Sequence, residues 1–257
     1  MNKLLKIELQ KIFGYKTFWA CAVLYAVLLP LLFTSAGKMN IKVDAKEMLL
    51  KWIYNFPDLW HNLTYLASWF NILLYLLIII LVTNEYMFKT IRQNLIDGLS
   101  KFEVILGKLF VVFLLTIVSS VFLIILGLGT GLAFADSMSS DLVLKKSVFL
   151  GAYFIQTFGY MTFALFIGTL FKRQGIAIIF FLLYSIMIES IIGLSLPDNI
   201  ANYLPLETFS RLIQNPFADK IGMTIPQFPE TKYLILSVVY TFIFSGLSLL
   251  VLEKSDI

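Results

Sequence analysis

The sequence predicts an all-α membrane protein: six transmembrane helices preceded by an N-terminal amphipathic helix lying in the interface. Three observations carry this reading. Of 257 residues, 59% are hydrophobic and 14% charged, against about 45–50% and about 25% in a soluble domain, so the apolar surplus calls for lipid as its solvent. The surplus falls into six long runs, each near the roughly 20 residues that cross a bilayer as a helix. Those runs are continuously apolar and lack a period of two, which favours helices over a transmembrane barrel. A disordered chain is excluded by 24 Phe, 12 Tyr and 4 Trp, and a disulfide-stapled secreted domain by the single cysteine, Cys21.

In chain order the elements are as follows. Residues 1–17 form the interfacial helix, with Leu5, Leu9, Ile12 and Phe13 on one face and Lys3, Lys6, Gln10 and Lys11 largely off it, although Leu4 and Ile7 break the pattern. The expected spans are 18–35, 66–83, 109–135, 147–171, 175–195 and 233–252. The third and fourth exceed the minimum, so they tilt or emerge from the hydrocarbon. A cleaved leader at 18–36, ending in Thr34, Ser35 and Ala36, is the weaker reading because sixteen preceding residues are long for a charged leader segment.

An even number of spans puts both termini on one side. Segments 1–17, 84–108, 172–174 and 253–257 are rich in Lys and Arg, whereas the bases of the opposite loops are balanced by acids. The positive-inside rule therefore expects both termini in the cytoplasm, with Lys38, Lys42, Lys46 and Lys51 of the first outer loop as the contrary charges. In that loop Trp52, Tyr54, Phe56 and Trp60 suggest an aromatic belt within residues 45–60. Pro197, Pro205, Pro216, Pro226 and Pro229 exclude a seventh continuous span from the outer region 196–232. Gly127, Gly129 and Gly131 offer a close-packing surface, within one chain or between two.

No catalytic constellation is present. His61 is the only histidine, which removes His-based triads and His-rich zinc motifs. Gly107-Lys108 fails as a phosphate loop, since Phe102 stands where the first Gly is needed and Leu109 follows the lysine. Asn62-Leu63-Thr64 matches the glycosylation sequon, a pattern common by chance. Glu189 is the one acid deep in a span. It is a candidate pathway residue facing an internal cavity, or a hydrogen-bonded carboxyl within reach of water near the helix end.

The most informative stretch is 84–108. Phe88, Ile91, Leu95 and Leu99 recur at helical spacing, with Lys89, Arg92, Gln93 and Asn94 on the other side. Asp97-Gly98 is a stop signal, and Ser100-Lys101-Phe102-Glu103 is a capping box that opens the helix into span three. The residues alone fit equally a partner-docking helix and a solvated hairpin.

Here the chain resembles the permease subunits of ABC-2 type exporters, through Glu85, Thr90, Ile91, Arg92, Gly98, Ser100, Lys101, Gly107 and Lys108. The layout is also similar, with a basic amphipathic N-terminal helix, six spans, and Tyr203-Leu204-Pro205-Leu206 where the family has a re-entrant extracellular hairpin. Leu99 replaces the usual Pro before the Ser-Lys pair, and Phe88-Lys89 stands where many members have Gly.

The resemblance implies a single permease domain over 1–257, without enzymatic activity or cofactor of its own. ATP and Mg would be bound by a separate ABC ATP-binding subunit. The implied ATPase-coupling residues are Glu85, Lys89, Thr90, Arg92 and Asp97, with Glu85 and Arg92 as polar anchors. A short helix at 208–214 would cap the pathway from outside. The implied partners are that ATPase, a second permease (homodimer or heterodimer) and membrane lipids, with no nucleic acid. The implied location is the bacterial plasma membrane, multi-pass, and the cargo an amphipathic or hydrophobic molecule such as a peptide antibiotic, drug or lipid. The rival reading is a self-contained channel or secondary transporter, which calls for more paired polar groups or broken helices at mid-depth.

Overall fold

The computed structural model describes residues 2–37, 40–43, 46–221 and 226–255. Lys38 and Ala45 of the first loop lie outside the described residues, as do the side chains of Lys3, Leu4, Leu5, Lys42, Lys46 and Lys51. Among the described residues, six helical segments are long and apolar enough to cross a membrane. They are α2 (Lys16–Ala36), α3 (Leu59–Phe70) continued by α4 (Ile72–Met87), α6 (Lys101–Phe134), α7 (Ser140–Lys145) leading into α8 (Val148–Phe171), α9 (Gln174–Leu183) continued through a π-turn into α10 (Glu189–Ser195), and α13 (Thr231–Glu253). The short helices are α1 (Asn2–Gly14), α5 (Thr90–Ile96), α11 (Asp198–Ala201) and α12 (Pro205–Ser210). One small departure from the all-α expectation is an antiparallel hairpin of β1 (Asn40–Val43) and β2 (Lys46–Leu49) after α2.

The central helix is α8, which packs against α3, α4, α6, α9, α12 and α13. By contrast α2, α9 and α13 turn most of their apolar surface outward, as helices solvated by lipid do. Between helices in lipid there is little hydrophobic drive, so close packing and internal hydrogen bonds hold the bundle. Both are present. Asn71, fully buried at the junction of α3 and α4, accepts from the Tyr153 hydroxyl at 2.7 Å and the Tyr25 hydroxyl at 3.3 Å, and donates to Thr157 Oγ1 at 2.8 Å. The two phenols are themselves 2.8 Å apart. Three spans are thus joined at one amide.

The second span starts seven residues earlier than its apolar run suggests, and polar side chains in its first turns make internal hydrogen bonds. His61 Nε2–H donates to the Gln214 carbonyl at 2.8 Å while its ring stacks on Phe149, Asn62 donates to the Ile53 carbonyl, and Thr64 bonds back to Trp60. Asn62 is buried in this helix, which removes it as a glycosylation acceptor. The aromatic belt is likewise corrected. Tyr54, Phe56 and Trp60 are buried in the core, where Phe56 and Trp60 close the end of the bundle against α6. The short helix expected at 208–214 is α12 at 205–210, since Pro205 suits the first helical turn and the helix ends at Ser210.

Two of the three α6 glycines face inward. A Cβ on Gly127 would meet the Trp60 ring at 2.4 Å and one on Gly131 would meet Phe56 at 2.4 Å, whereas Gly129 has nothing within 4 Å. The small-residue surface therefore serves packing within the chain at 127 and 131. Gly127→Ala is expected to lower stability by about 1–3 kcal/mol through overpacking. Gly129→Ala should leave it unchanged or slightly raised, Ala being the better helix former by about 1 kcal/mol. Thermal unfolding of the purified protein in detergent distinguishes the two, and equal losses would contradict this packing.

Candidate functional site: a buried ion network at the terminal face

The face that carries both chain ends is organised by four charges drawn from three separate helices. Glu8 and Lys11 come from α1, Glu85 from the last turn of α4, and Lys108 from the second turn of α6. Lys108 Nζ donates to Glu8 and to Glu85, while Lys11 Nζ reaches Glu8 Oε1 at 3.2 Å and Glu85 Oε1 at 3.4 Å. Glu8 and Glu85 are each 3% exposed and Lys108 6%. Two acids and two bases cancel formally, which is the condition for burying such groups at all. Burial pushes the Glu8 carboxyl up, but Lys108 and Lys11 together outweigh it and hold the group below the ordinary value of 4.5.

Local chemistry explains each placement. α1 buries Glu8 and, one turn on, Ile12. The expected apolar stripe is thus corrected: Phe13 is exposed and packs instead on Phe18 and Trp19, and Lys11 belongs to the inward edge. α4 ends at Met87, and Lys89 takes a left-handed conformation (φ 57°) that turns the chain into α5. This break places Phe88 outside the buried stripe predicted for it, 61% exposed, whereas Ile91 is buried and Leu95 and Leu99 pack beside it. After α5 the chain turns at Gly98 (φ 94°), a conformation glycine adopts without a Cβ penalty. Ser100 then accepts from the Glu103 N–H, and Glu103 accepts from the Ser100 N–H, completing the capping box that the sequence announces.

The elbow so formed is fastened to the last helix. Ile91, Val104, Ile105 and Leu252 make one small apolar cluster, and Lys101 Nζ donates to the carbonyls of Glu253 at 2.8 Å and Ser255 at 3.2 Å, capping the end of α13.

Of the sequence-derived coupling residues, Glu85 and Thr90 adjoin each other, the Thr90 hydroxyl donating to the Glu85 carbonyl at 3.4 Å. Lys89, Arg92 and Asp97 lie on the exposed side of the elbow. Glu85 does not join them there. Its carboxylate is turned inward to Lys108 and Lys11, so it anchors the elbow from within rather than offering a charge at the surface. Glu8 and Lys11 escaped the sequence reading as site residues. Their one signal was that Glu8 is the sole acid before Asp44, set one position off an apolar stripe.

Glu189 belongs to a separate region. It begins α10 just after the π-turn Tyr184–Ile188, and its Oε1 accepts from the Glu207 N–H in the first turn of α12 at 2.6 Å. Tyr160 from α8 donates to the Leu206 carbonyl at 3.1 Å, and Gln156 donates to the Phe209 carbonyl at 3.0 Å, so α12 is held down by three polar contacts. Glu189 lines a cavity of about 380 Å³ beside these contacts.

Fold and site together define a multi-pass helical membrane protein whose terminal face is built on a buried ion network. Residues 20–257 match the family model described as Protein of unknown function (DUF2705), and the chain belongs to that family. No curated protein matches the chain. The matched region contains Glu85 and Lys108 and begins after Glu8 and Lys11.

Lys108→Met is expected to cost about 3–5 kcal/mol, because it leaves two buried carboxylates facing Lys11 alone. Adding Glu85→Gln should recover part of that loss, as read by denaturant unfolding in detergent. The Glu8 carboxyl, being lowered in the folded protein, contributes docking energy that is complete above pH 4.5 and lost as pH falls through the lowered value. Limited proteolysis of α1 should accordingly accelerate on acidification below 4.5 and stay flat between about pH 5 and 8.

Proposed function

We propose that this chain is the permease subunit of an ATP-driven exporter, powered by a separate ATP-binding subunit docked on the terminal face. The observation that carries the reading is the ion network, which couples α1, the α4–α5–α6 elbow and the core of the bundle into one unit. A force applied to the exposed side of α5 is thereby delivered to two spans and an interfacial helix at once. Surface chemistry at the elbow supports docking: Met87, Phe88, Ile96 and Phe102 are exposed apolar side chains, interleaved with the exposed Lys89, Arg92 and Asp97. Such mixed surfaces suit a groove on a soluble partner.

In this reading both termini are cytoplasmic, the host membrane is a bacterial plasma membrane, and a second permease completes the path. The outward apolar faces of α2, α6 and α9 meet lipid or that second copy. ATP binding in the partner pushes α5, α1 follows through Glu8 and Lys11, and the spans rock so that an amphipathic or hydrophobic cargo passes outward. A self-contained channel or secondary transporter is the alternative, and the helix break at Asn71 is the observation in its favour. Yet the amide and hydroxyls at that break are engaged with one another, so the break is a joint rather than an ion site.

The test is purification of the chain under mild conditions with whatever co-elutes, followed by assay of the partner for ATP hydrolysis. Recovery of an ATPase is expected, and Arg92→Glu should weaken its retention about ten-fold, equivalent to about 1.4 kcal/mol, without altering membrane insertion. Absence of any ATPase under conditions that preserve the assembly would overturn the proposal.

A further inference from the structure

Helix α12 and its flanks form a loop stapled at its own base. Arg211 Nη2 donates to Asn202 Oδ1 at 2.6 Å, and Arg211 Nε lies 2.8 Å from Glu207 Oε1, so the hydrogen bond and the ion pair of this guanidinium both stay within residues 202–211. Two cavities border on the loop. Glu207, Ser210 and Arg211 line one of about 550 Å³, and Leu204, Leu206, Glu207 and Ser210 line the other, of about 380 Å³. Tyr160 and Ser185 also face both. α12 thus stands between two recesses.

What seats α12 comes from outside the loop. The helix has no side-chain cap of its own, since Leu204 stands at the N-cap and Pro205 opens the first turn. Another helix supplies the cap. Glu189 of α10 accepts from the Glu207 N–H at 2.6 Å, and the Leu206 N–H and the Tyr184 hydroxyl lie beside the same carboxylate. Both N–H groups belong to the first turn, where a helix leaves its donors unpaired. The π-turn Tyr184–Ile188 adds one residue just ahead of Glu189, which rotates its face by about 100° from that of a continuous α-helix. On the opposite side Phe209, fully buried, fills the notch at Gly159, where a Cβ would meet its ring at 2.3 Å. Gln156 and Tyr160 add their hydrogen bonds to the Phe209 and Leu206 carbonyls.

The seat is nevertheless incompletely satisfied. Thr208 is fully buried, yet its hydroxyl has no hydrogen-bond partner among the described residues, and neither has Gln156 Oε1. An unpaired buried hydroxyl or amide oxygen disfavours the arrangement that buries it, and the penalty vanishes once water reaches the group. The Glu189 cap and the Phe209 ring therefore favour the seated loop, while Thr208 and Gln156 favour its departure. Opposed terms of this kind characterise an element that opens locally while the rest of the fold persists.

We infer that α12 is a displaceable partition, latched to α10 by the Glu189 carboxylate, whose departure removes the wall between the two cavities. Glu189 is thereby a positioning residue for α12. The inference concerns residues 202–211 and their seat alone, so it stands or falls separately from the exporter reading.

The experiment is peptide-resolved hydrogen exchange on the full chain in nanodiscs. In the seated loop the Thr208 and Arg211 N–H groups donate to the Leu204 and Glu207 carbonyls at 2.8 and 2.9 Å. A six-residue helix is unstable without its seat, so displacement exposes these amides to exchange. Peptides covering 204–212 are expected to exchange before those of α8 and α13, against which α12 packs. Glu189→Gln should accelerate the α12 peptides about ten-fold, because a neutral acceptor caps more weakly than a carboxylate. Thr208→Val, which keeps the shape and removes the unpaired hydroxyl, should slow them about five-fold. Neither variant should change α8 or α13. Exchange of α12 only in step with α8 and α13 overturns the inference. So does an acceleration by Glu189→Gln that extends over α8 and α13, as a merely structural role would give, or an unchanged rate. Should that variant not fold, Thr208→Val decides alone, and an unchanged or faster rate overturns the inference.

Discussion

The contact between Lys108 and the two carboxylates of Glu8 and Glu85 is the constraint on which the terminal face depends. Among the described side chains of α1, Glu8 and Ile12 are buried and Phe13 points outward. Its buried polar contacts to α4 and α6 run through Glu8 and Lys11. A buried ion pair adds little net stability, because desolvation offsets most of the Coulomb attraction, but breaking one strands a charge. The network ties α1 to the end of α4 through Glu85 and to α6 through Lys108.

The same logic governs the middle and the far end of the bundle. Lipid cannot satisfy a polar group, so each buried amide or hydroxyl must find a partner inside. Asn71 finds Tyr25, Tyr153 and Thr157, and the second span breaks there without leaving an amide unused. At the other end Gln156, Tyr160 and Glu189 hold α12 against α8 and α10, and there the pairing is incomplete. Paired polar groups thus fasten helices at both places.

How far the sequence could be read depends on the range of the interactions involved. The capping box at Ser100 to Glu103 and the turn at Gly98 were legible because each is decided within four residues. The six spans were legible because hydrocarbon thickness sets a length that composition alone must meet. The start of α3 was missed because His61, Asn62 and Thr64 read as polar until Gln214, Ile53 and Trp60 supply their partners, two of them within ten residues and one far along the chain. The buried aromatics 54, 56 and 60 looked like a belt because the same side chains suit a lipid interface and a helix-packing seam. Only the glycines of α6 show which is realised.

By itself the sequence determined the solvent, the number of crossings and the segmentation of the elbow, because these follow from local apolarity and from caps spanning one turn. It also drew attention to Glu85, Arg92 and Glu189, since charge is rare in such a chain. What each does was decided only by tertiary structure. Glu85 and Arg92 lie seven residues apart, yet one is sealed against Lys108 and the other faces outward. The left-handed turn at Lys89 separates their helices, and two lysines from elsewhere in the chain claim the carboxylate. Partners distant in sequence leave no periodic trace, and a buried charge takes its meaning from its partners.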